Sequence, residues 1–278
     1  PARAPRSGGP TSGAPACRSI LGVRIDATSY ERATEEILAW ARTLDAAPTP
    51  RGKAVYLANV HMVMEAVDDP DFRAVLNAAD RVTPDGVPLV WALRALGVPD
   101  ATRVYGPTLM LHVCEAAARE GVQVGLHGGS PDTLAKLTRA LHGLWPALRI
   151  AYADSPPFTA PKATPDPDCD ARERDAIAAS GARIVFVGLG CPKQERWIAR
   201  QAPHLPAVLL GVGAAFDFHA GTVRQAPAWL QRAGMEWAFR LAMEPRRLAS
   251  RYLRHNPRFV ARFLAQWWRA HRHDSERR

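Results

Sequence analysis

One aspartate in this sequence stands where a proton could be taken from a bound hydroxyl. Asp85 lies within Arg81-Val82-Thr83-Pro84-Asp85-Gly86-Val87-Pro88, between a helical run over 70–80 and an apolar run over 89–96. Two prolines stiffen the stretch, and Gly86 admits a backbone turn where a side chain would clash. A carboxylate held at the end of a short strand suits a general base. The same residues also describe an Asx-type turn in which Asp85 bonds only its own backbone.

Three glycine junctions offer a different chemistry. Gly188-Leu189-Gly190-Cys191-Pro192-Lys193-Gln194-Glu195-Arg196 follows a strand pattern and opens a helix pattern. Exposed N–H groups and a positive helix end suit a phosphate there, although a tight turn without ligand reads the same way. Gly128-Gly129 and Gly211-Val212-Gly213 repeat the arrangement. Asp217 is placed either to bond a ribose or sugar hydroxyl or to cap the following turn. The GxGxxG fingerprint and the Walker A motif are both absent. No DxD stands in a metal-binding context, since Asp166-Pro167-Asp168 sits in a Pro-rich stretch over 156–168. The four cysteines show no CxxC spacing, which argues against a zinc site or a disulfide framework.

The elements that must position these residues follow from periodicity. Strands are expected at 19–25, 54–58, 81–83, 123–127, 149–153, 183–187 and 207–210. Helices are expected at 30–44, 61–67, 70–79, 107–121, 132–144, 171–180 and 192–202. This alternation predicts an α/β fold, a Rossmann-like and mostly parallel sheet flanked by helices. Ligands of such sheets bind beyond the carboxyl ends of the strands, where the glycine junctions fall. After residue 220 the pattern is helical only, over 228–243, 245–254 and 257–271. The reading divides the chain into a disordered Pro/Gly/Ser-rich leader (1–18), a main domain (19–243) and a basic amphipathic helical appendage (244–278).

The chain has 278 residues and a net charge of +9. From Arg240 to Arg278 eleven arginines stand against three carboxylates, so the last 39 residues hold +8 of that charge. The excess is local and suits an anionic partner. Over 257–271, Phe259, Val260, Phe263, Leu264 and Trp267 share one side of a helix, with Arg258, Arg262 and Arg269 on or beside another. Such a helix lies on an anionic bilayer or packs on the domain. No run reaches the ~20 apolar residues of a membrane span, and residues 1–16 lack the apolar centre of a signal peptide. A cytoplasmic protein, peripheral on the inner face of the cell membrane, is expected.

Five motifs in order carry a family likeness: Thr83-Pro84-Asp85-Gly86, His127-Gly128-Gly129, the 188–195 junction, Gly211-Val212-Gly213-Ala214-Ala215-Phe216-Asp217, and Met235-Glu236-Trp237 through Glu244-Pro245-Arg246-Arg247. Together, from about residue 20 to 252, the chain resembles the WecG/TagA/CpsF glycosyltransferases. The resemblance implies an inverting transferase that moves a sugar from a UDP-sugar to a sugar on a polyprenyl diphosphate, in the synthesis of bacterial surface polysaccharide. It implies Asp85 as general base and Asn59, Arg103 and Gln194 as the lining of the sugar and acceptor pocket. Departing UDP needs cations or N–H donors, and Arg246, Arg247 and Arg251 of the appendage are the candidates, with no metal cofactor expected. The implied partners are the UDP-sugar donor, the lipid-linked acceptor and the anionic inner-membrane surface, with room for a homo-oligomer completing the site in trans. Leu57, and Gln225-Ala226-Pro227 with Arg224 one place earlier, depart from the family's usual pattern. Two alternatives compete. An NAD(P)-dependent Rossmann oxidoreductase lacks its glycine fingerprint. A nucleic-acid-binding protein using the basic tail is set against a nearly neutral remainder.

Overall fold

The computed structural model describes residues 16–44, 51–157, 164, 166–227, 229–230 and 234–275, without the side chains of residues 247, 251 and 273–275. Two short strands, β1 (Cys17–Ile20) and β2 (Val23–Asp26), pair antiparallel as a separate ribbon. The periodicity reads them as one strand. Leu21 (φ 52°) and Gly22 (φ 88°) break it, because two successive positive-φ residues close a two-residue hairpin. Cys17 and Arg18 thus belong to β1, and residues 1–15 of the expected leader lie outside the described residues.

The main sheet has six strands: β3 (Lys53–Ala58), β4 (Arg81–Pro84), β5 (Gln123–Gly128), β6 (Arg149–Asp154), β7 (Ile184–Gly188) and β8 (Val208–Gly211). They lie in the order β4-β3-β8-β7-β5-β6, every neighbouring pair parallel. Their carboxyl ends therefore share one edge. From one side to the other it carries Asp85, Asn59, Gly213, Gly190, Gly128-Gly129 and Ser155.

Strand alternation splits the core in two. Ala54, Tyr56 and Ala58 of β3, with Val185, Val187 and Leu209, face one layer. Val55, Leu57, Ile184, Phe186, Val208 and Leu210 face the other. The first layer is closed by α2 (Val60–Asp68), α3 (Pro70–Asn77), α4 (Val87–Ala95) and α8 (Lys193–Gln201); α7 (Pro167–Ser180) adds Ile177 to it. The second is closed by α1 (Tyr30–Thr43), α5 (Gly106–Glu120), α6 (Pro131–Leu144) and the one-turn α9 (Ala215–His219). Side-chain caps start several of these helices where the sequence places Ser, Asn or Asp: Ser29 for α1, Asn59 for α2, Asp69 for α3 and Ser130 for α6.

The edge strand that carries Asp85 is anchored by Asp26. This buried carboxylate accepts the Val82 N–H at 2.8 Å and lies 3.6 Å from Arg81 and 3.3 Å from Arg24. Arg81 also pairs with Glu36 of α1. The N-terminal ribbon is thereby tied to β4 just upstream of the Asp85 loop.

The chain ends in α10 (Glu236–Met243) and the 31-residue α11 (Pro245–Ser275). The expected pair of helices over 245–254 and 257–271 is one continuous helix. Pro257 removes the N–H that would reach Leu253, but both residues face solvent, where water takes the freed carbonyl. The opposite side is pinned: Leu248 and Phe259 are buried, Arg258 bonds Asp68 of α2 at 2.8 Å, and Gln266 clips the β1–β2 turn through Leu21 and Ser19. Of the expected helix over 228–243, residues 228 and 231–233 lie outside the described residues, and α10 covers the end.

The expected apolar side of the tail is divided between two neighbours. Phe259, Phe263 and Trp267 turn inward; Phe263 packs on the core, and the Trp267 indole donates to the Ala95 carbonyl at 3.3 Å. Val260 (55%), Leu264 (53%) and Trp268 (58%), again four residues apart, stand exposed. Among the described residues no helix is long and apolar enough to cross a membrane.

Asp26→Ala is expected to lower unfolding free energy by about 2–4 kcal/mol, since it leaves Arg81 and the Val82 N–H short of a partner. Urea denaturation of the variant beside wild type checks this.

Candidate active site

The Asp85 loop is clipped from three sides. The N–H groups of Asp85 and Gly86 both donate to the Ala58 carbonyl at the end of β3, at 2.8 and 3.0 Å. The Gly106 N–H at the start of α5 donates to Asp85 Oδ1 at 3.1 Å. Arg103 Nε donates to the Asp85 carbonyl oxygen. The Asx-turn reading fails, because the carboxylate bonds a residue 21 positions away rather than its own turn. Gly86 has an ordinary extended backbone (φ −78°), so no unusual turn requires it. What requires it is close approach: a Cβ there would lie 3.2 Å from the Cα of Asn59.

Around this loop lies a cleft of about 140 Å³. Its walls come from the start of α2 (Asn59, His61), the Asp85–Pro88 turn, Arg103, α10 (Glu236, Trp237, Arg240) and α11 (Tyr252, His255, Asn256). Asp85 is 17% exposed into it. Burial raises its pKa to about 6, Arg103 at 4.0 Å pulls it down, and the carboxylate of Glu236 pushes it up again. Arg103 is committed to Glu236, which accepts its guanidinium at 2.8 Å and the Tyr105 hydroxyl at 2.7 Å. The Arg103 guanidinium also lies over the Tyr105 ring, 4.1 Å from its centre. Arg240 lies over Phe218, 5.5 Å from the ring centre. Asn59 spends its side-chain oxygen on the Met62 N–H as the α2 cap, at 3.2 Å, while facing the cleft.

Of the residues singled out in the sequence, Asp85, Asn59 and Arg103 are thus brought together. Gln194, Gly188, Gly190 and Gly213 gather separately at the ends of β7 and β8, two to three strands along the edge. At ~4.8 Å per strand step that is about 10–14 Å away. Gln194 is buried there, and its Oε1 accepts the N–H groups of both Gly190 and Gly213 at 3.1 Å. Its amide nitrogen donates to Glu195 at 2.7 Å. Two of the N–H groups expected to cradle a phosphate are therefore already taken by one side chain. Glu195 is fully buried, which raises its pKa to about 7.

Gly128 and Gly188 are dictated by packing. A Cβ on Gly128 would sit 2.7 Å from the Gly188 carbonyl carbon, and one on Gly188 2.7 Å from the Phe216 ring. Gly129 (φ +73°) and Gly190 (φ +78°) hold left-handed corners, and around Gly190 the space for a side chain is empty. His127 turns inward, stacked on Trp197 at 4.3 Å, and burial lowers its pKa to about 4. Asp217 serves the following turn: its carbonyl accepts from Thr222 and Val223, and its carboxylate lies 3.4 Å from the Thr222 hydroxyl. Arg246 is exposed on the first turn of α11, and the side chains of Arg247 and Arg251 lie outside the described residues.

The sequence reading gave no role to Glu236, Tyr105, Arg240, His61 or His255. Met235-Glu236-Trp237 was among the motifs, but pairing across 133 positions, as between Arg103 and Glu236, leaves no mark in spacing.

The model of the family described as "Glycosyl transferase WecG/TagA/CpsF family" matches residues 18–273. A relative from Bacillus spizizenii, an N-acetylglucosaminyldiphosphoundecaprenol N-acetyl-β-D-mannosaminyltransferase, is 32% identical over 200 residues, covering 71% of this chain and 74% of the relative.

Glu236→Gln is expected to lower the pKa of Asp85 below about 6, because it removes a neighbouring negative charge and frees Arg103. Carboxyl NMR titration of both proteins reads the shift directly; an unchanged or raised value contradicts the coupling.

Proposed function

The chain belongs to the WecG/TagA/CpsF glycosyltransferase family, and from that premise we propose that it transfers a sugar from a UDP-sugar to a lipid-linked acceptor with Asp85 as general base. The observation that carries this reading is the carboxylate itself. It is fixed by a backbone N–H, partly open to a cleft, and raised to about 6, so that at neutral pH it is mostly ionised yet basic enough to accept a proton.

The proposed step is a single inverting displacement. The acceptor hydroxyl oxygen attacks the anomeric carbon of the donor, and its proton passes to Asp85. The bond from that carbon to the diphosphate breaks, and UDP leaves with the electron pair. Arg240 at the cleft and the arginines at the start of α11 are proposed to neutralise the leaving diphosphate. No metal is assigned to the transfer. The donor is proposed to lie along the strand ends, its nucleotide toward the β7–β8 corner and its sugar toward Asp85 and Asn59. The Bacillus relative's name supplies the acceptor class proposed here, N-acetylglucosaminyl-diphospho-undecaprenol, and an N-acetylmannosaminyl donor.

A lipid-linked acceptor has to be met at a bilayer. Val260, Leu264 and Trp268 on the outer side of α11, with the tail's arginines, support peripheral binding to an anionic inner-membrane surface.

Asp85→Asn is expected to lower turnover by about 10²–10⁴-fold while UDP-sugar binding, read by calorimetry, stays near wild type. Near-normal turnover would remove Asp85 from the role. In wild type the rate should rise with pH through about 6, as the base loses its proton. The sign for stability is opposite. A carboxyl whose folded pKa is raised adds stability at low pH that is lost as pH climbs through about 6, so Asp85→Asn should raise Tm at pH 8 and not at pH 3. Flotation with vesicles containing anionic lipid should recover the full chain at low salt and lose it at high salt. The triple change Val260→Ser, Leu264→Ser, Trp268→Ser should weaken recovery at low salt.

A further inference from the structure

Beside the cleft, where α11 crosses α2, three side chains converge that the transfer reaction does not use. His61 and Glu65 stand four residues apart on α2, and His255 comes from α11. Glu65 Oε1 lies 3.6 Å from His61 Nε2 and 3.5 Å from His255 Nε2, and one ligand atom from each residue lies within 4.8 Å of the other two. Ligands about 2.0–2.1 Å from a tetrahedral cation stand roughly 3.4 Å apart. The two measured spacings are within 0.2 Å of that.

His255 is only 4% exposed at the crossing of the two helices. Its Nδ1 is buried without a hydrogen-bond partner among the described residues. Asp68 offsets part of the charge of the two arginines beside the cluster, taking Arg258 at 2.8 Å and standing 3.6 Å from Arg254. Glu65 makes its close contacts with the two histidines. Two nitrogen donors and one carboxylate exclude the hard cations Ca²⁺ and Mg²⁺ as preferred occupants and suit a borderline transition metal.

We propose that His61, Glu65 and His255 form a binding site for a divalent transition metal of the zinc class, which clamps α11 to α2 at the wall of the cleft. The cation would bridge the only two helices that supply its ligands. It would hold the helix carrying Tyr252 and Asn256 against the turn that begins at Asn59. Its place is at the helix crossing, so its role is to fix the appendage and not to activate the leaving diphosphate. The inference stands independently of the transfer reading.

The test uses the full chain after chelator treatment and desalting, titrated with zinc chloride by calorimetry. One equivalent is expected to bind, with Tm rising by several degrees at excess Zn²⁺. His61→Ala and His255→Ala should each weaken that binding by at least about 100-fold and abolish the Tm shift. Circular dichroism in chelator confirms that the variants are folded. Should either variant fail to fold, Co²⁺ loaded on wild type decides. An intense visible spectrum of a four- or five-coordinate, thiolate-free site, displaced by one equivalent of Zn²⁺, supports the clamp. The pale spectrum of hydrated Co²⁺, absence of a stoichiometric equivalent, or wild-type zinc affinity in folded His255→Ala overturns it.

Discussion

The site depends on one carbonyl. Ala58, the last residue of β3, accepts the N–H groups of both Asp85 and Gly86, so two adjacent parallel strands end at a common point. Asn59, the next residue, caps α2, and Gly86 has to be small enough to pass its Cα. Gly106 then completes the hold on Asp85 from a third element. Because each contact is backbone or cap, the carboxylate cannot drift without breaking several hydrogen bonds together. That rigidity suits proton transfer, which needs a fixed donor–acceptor distance.

The electrostatics around Asp85 are a balance of opposed effects. Desolvation raises its pKa, Arg103 lowers it, and Glu236 raises it while also engaging Arg103. Glu236 belongs to α10, so the Asp85 carboxyl is tuned by the same part of the chain that forms the far wall of the cleft. Moving the C-terminal helices would alter both the shape of the cleft and the basicity of its carboxylate. At the middle of the sheet edge, beyond β7 and β8, Gln194 and Glu195 do a different kind of work: they tie two glycine loops together with buried hydrogen bonds. An unpaired polar group is costly in such a place, so each of these residues restricts what the other can become.

The terminal helix serves two surfaces because 3.6 residues per turn put positions four apart on one line. The line through Phe259, Phe263 and Trp267 meets the protein, and the adjacent line through Val260, Leu264 and Trp268 meets solvent. Packing on the domain and presentation of an apolar stripe outward are therefore compatible in a single conformation. Pro257 does not interrupt this, since the bond it deletes lies on the solvent side and Arg258, beside it, is held by Asp68.

What the sequence determined by itself is local and periodic. Alternation in the strands, cap residues before helices and glycines at strand ends carry their meaning within a few positions, and they located the parallel sheet, the edge at which its strands end and Asp85 on that edge. The concentration of arginine in the last 39 residues was equally plain. What only the tertiary structure decided concerns residues far apart in the chain. Spacing cannot show that Glu236 would meet Arg103 and Tyr105, that His255 would meet His61 and Glu65, or that Gln194 would take up the N–H groups of two glycine loops. Nor can a helical pattern alone tell a proline that ends a helix from one on its wet side. Each of these is settled by which surfaces come together when the apolar layers close, and burial, not sequence proximity, then sets the charge on each group.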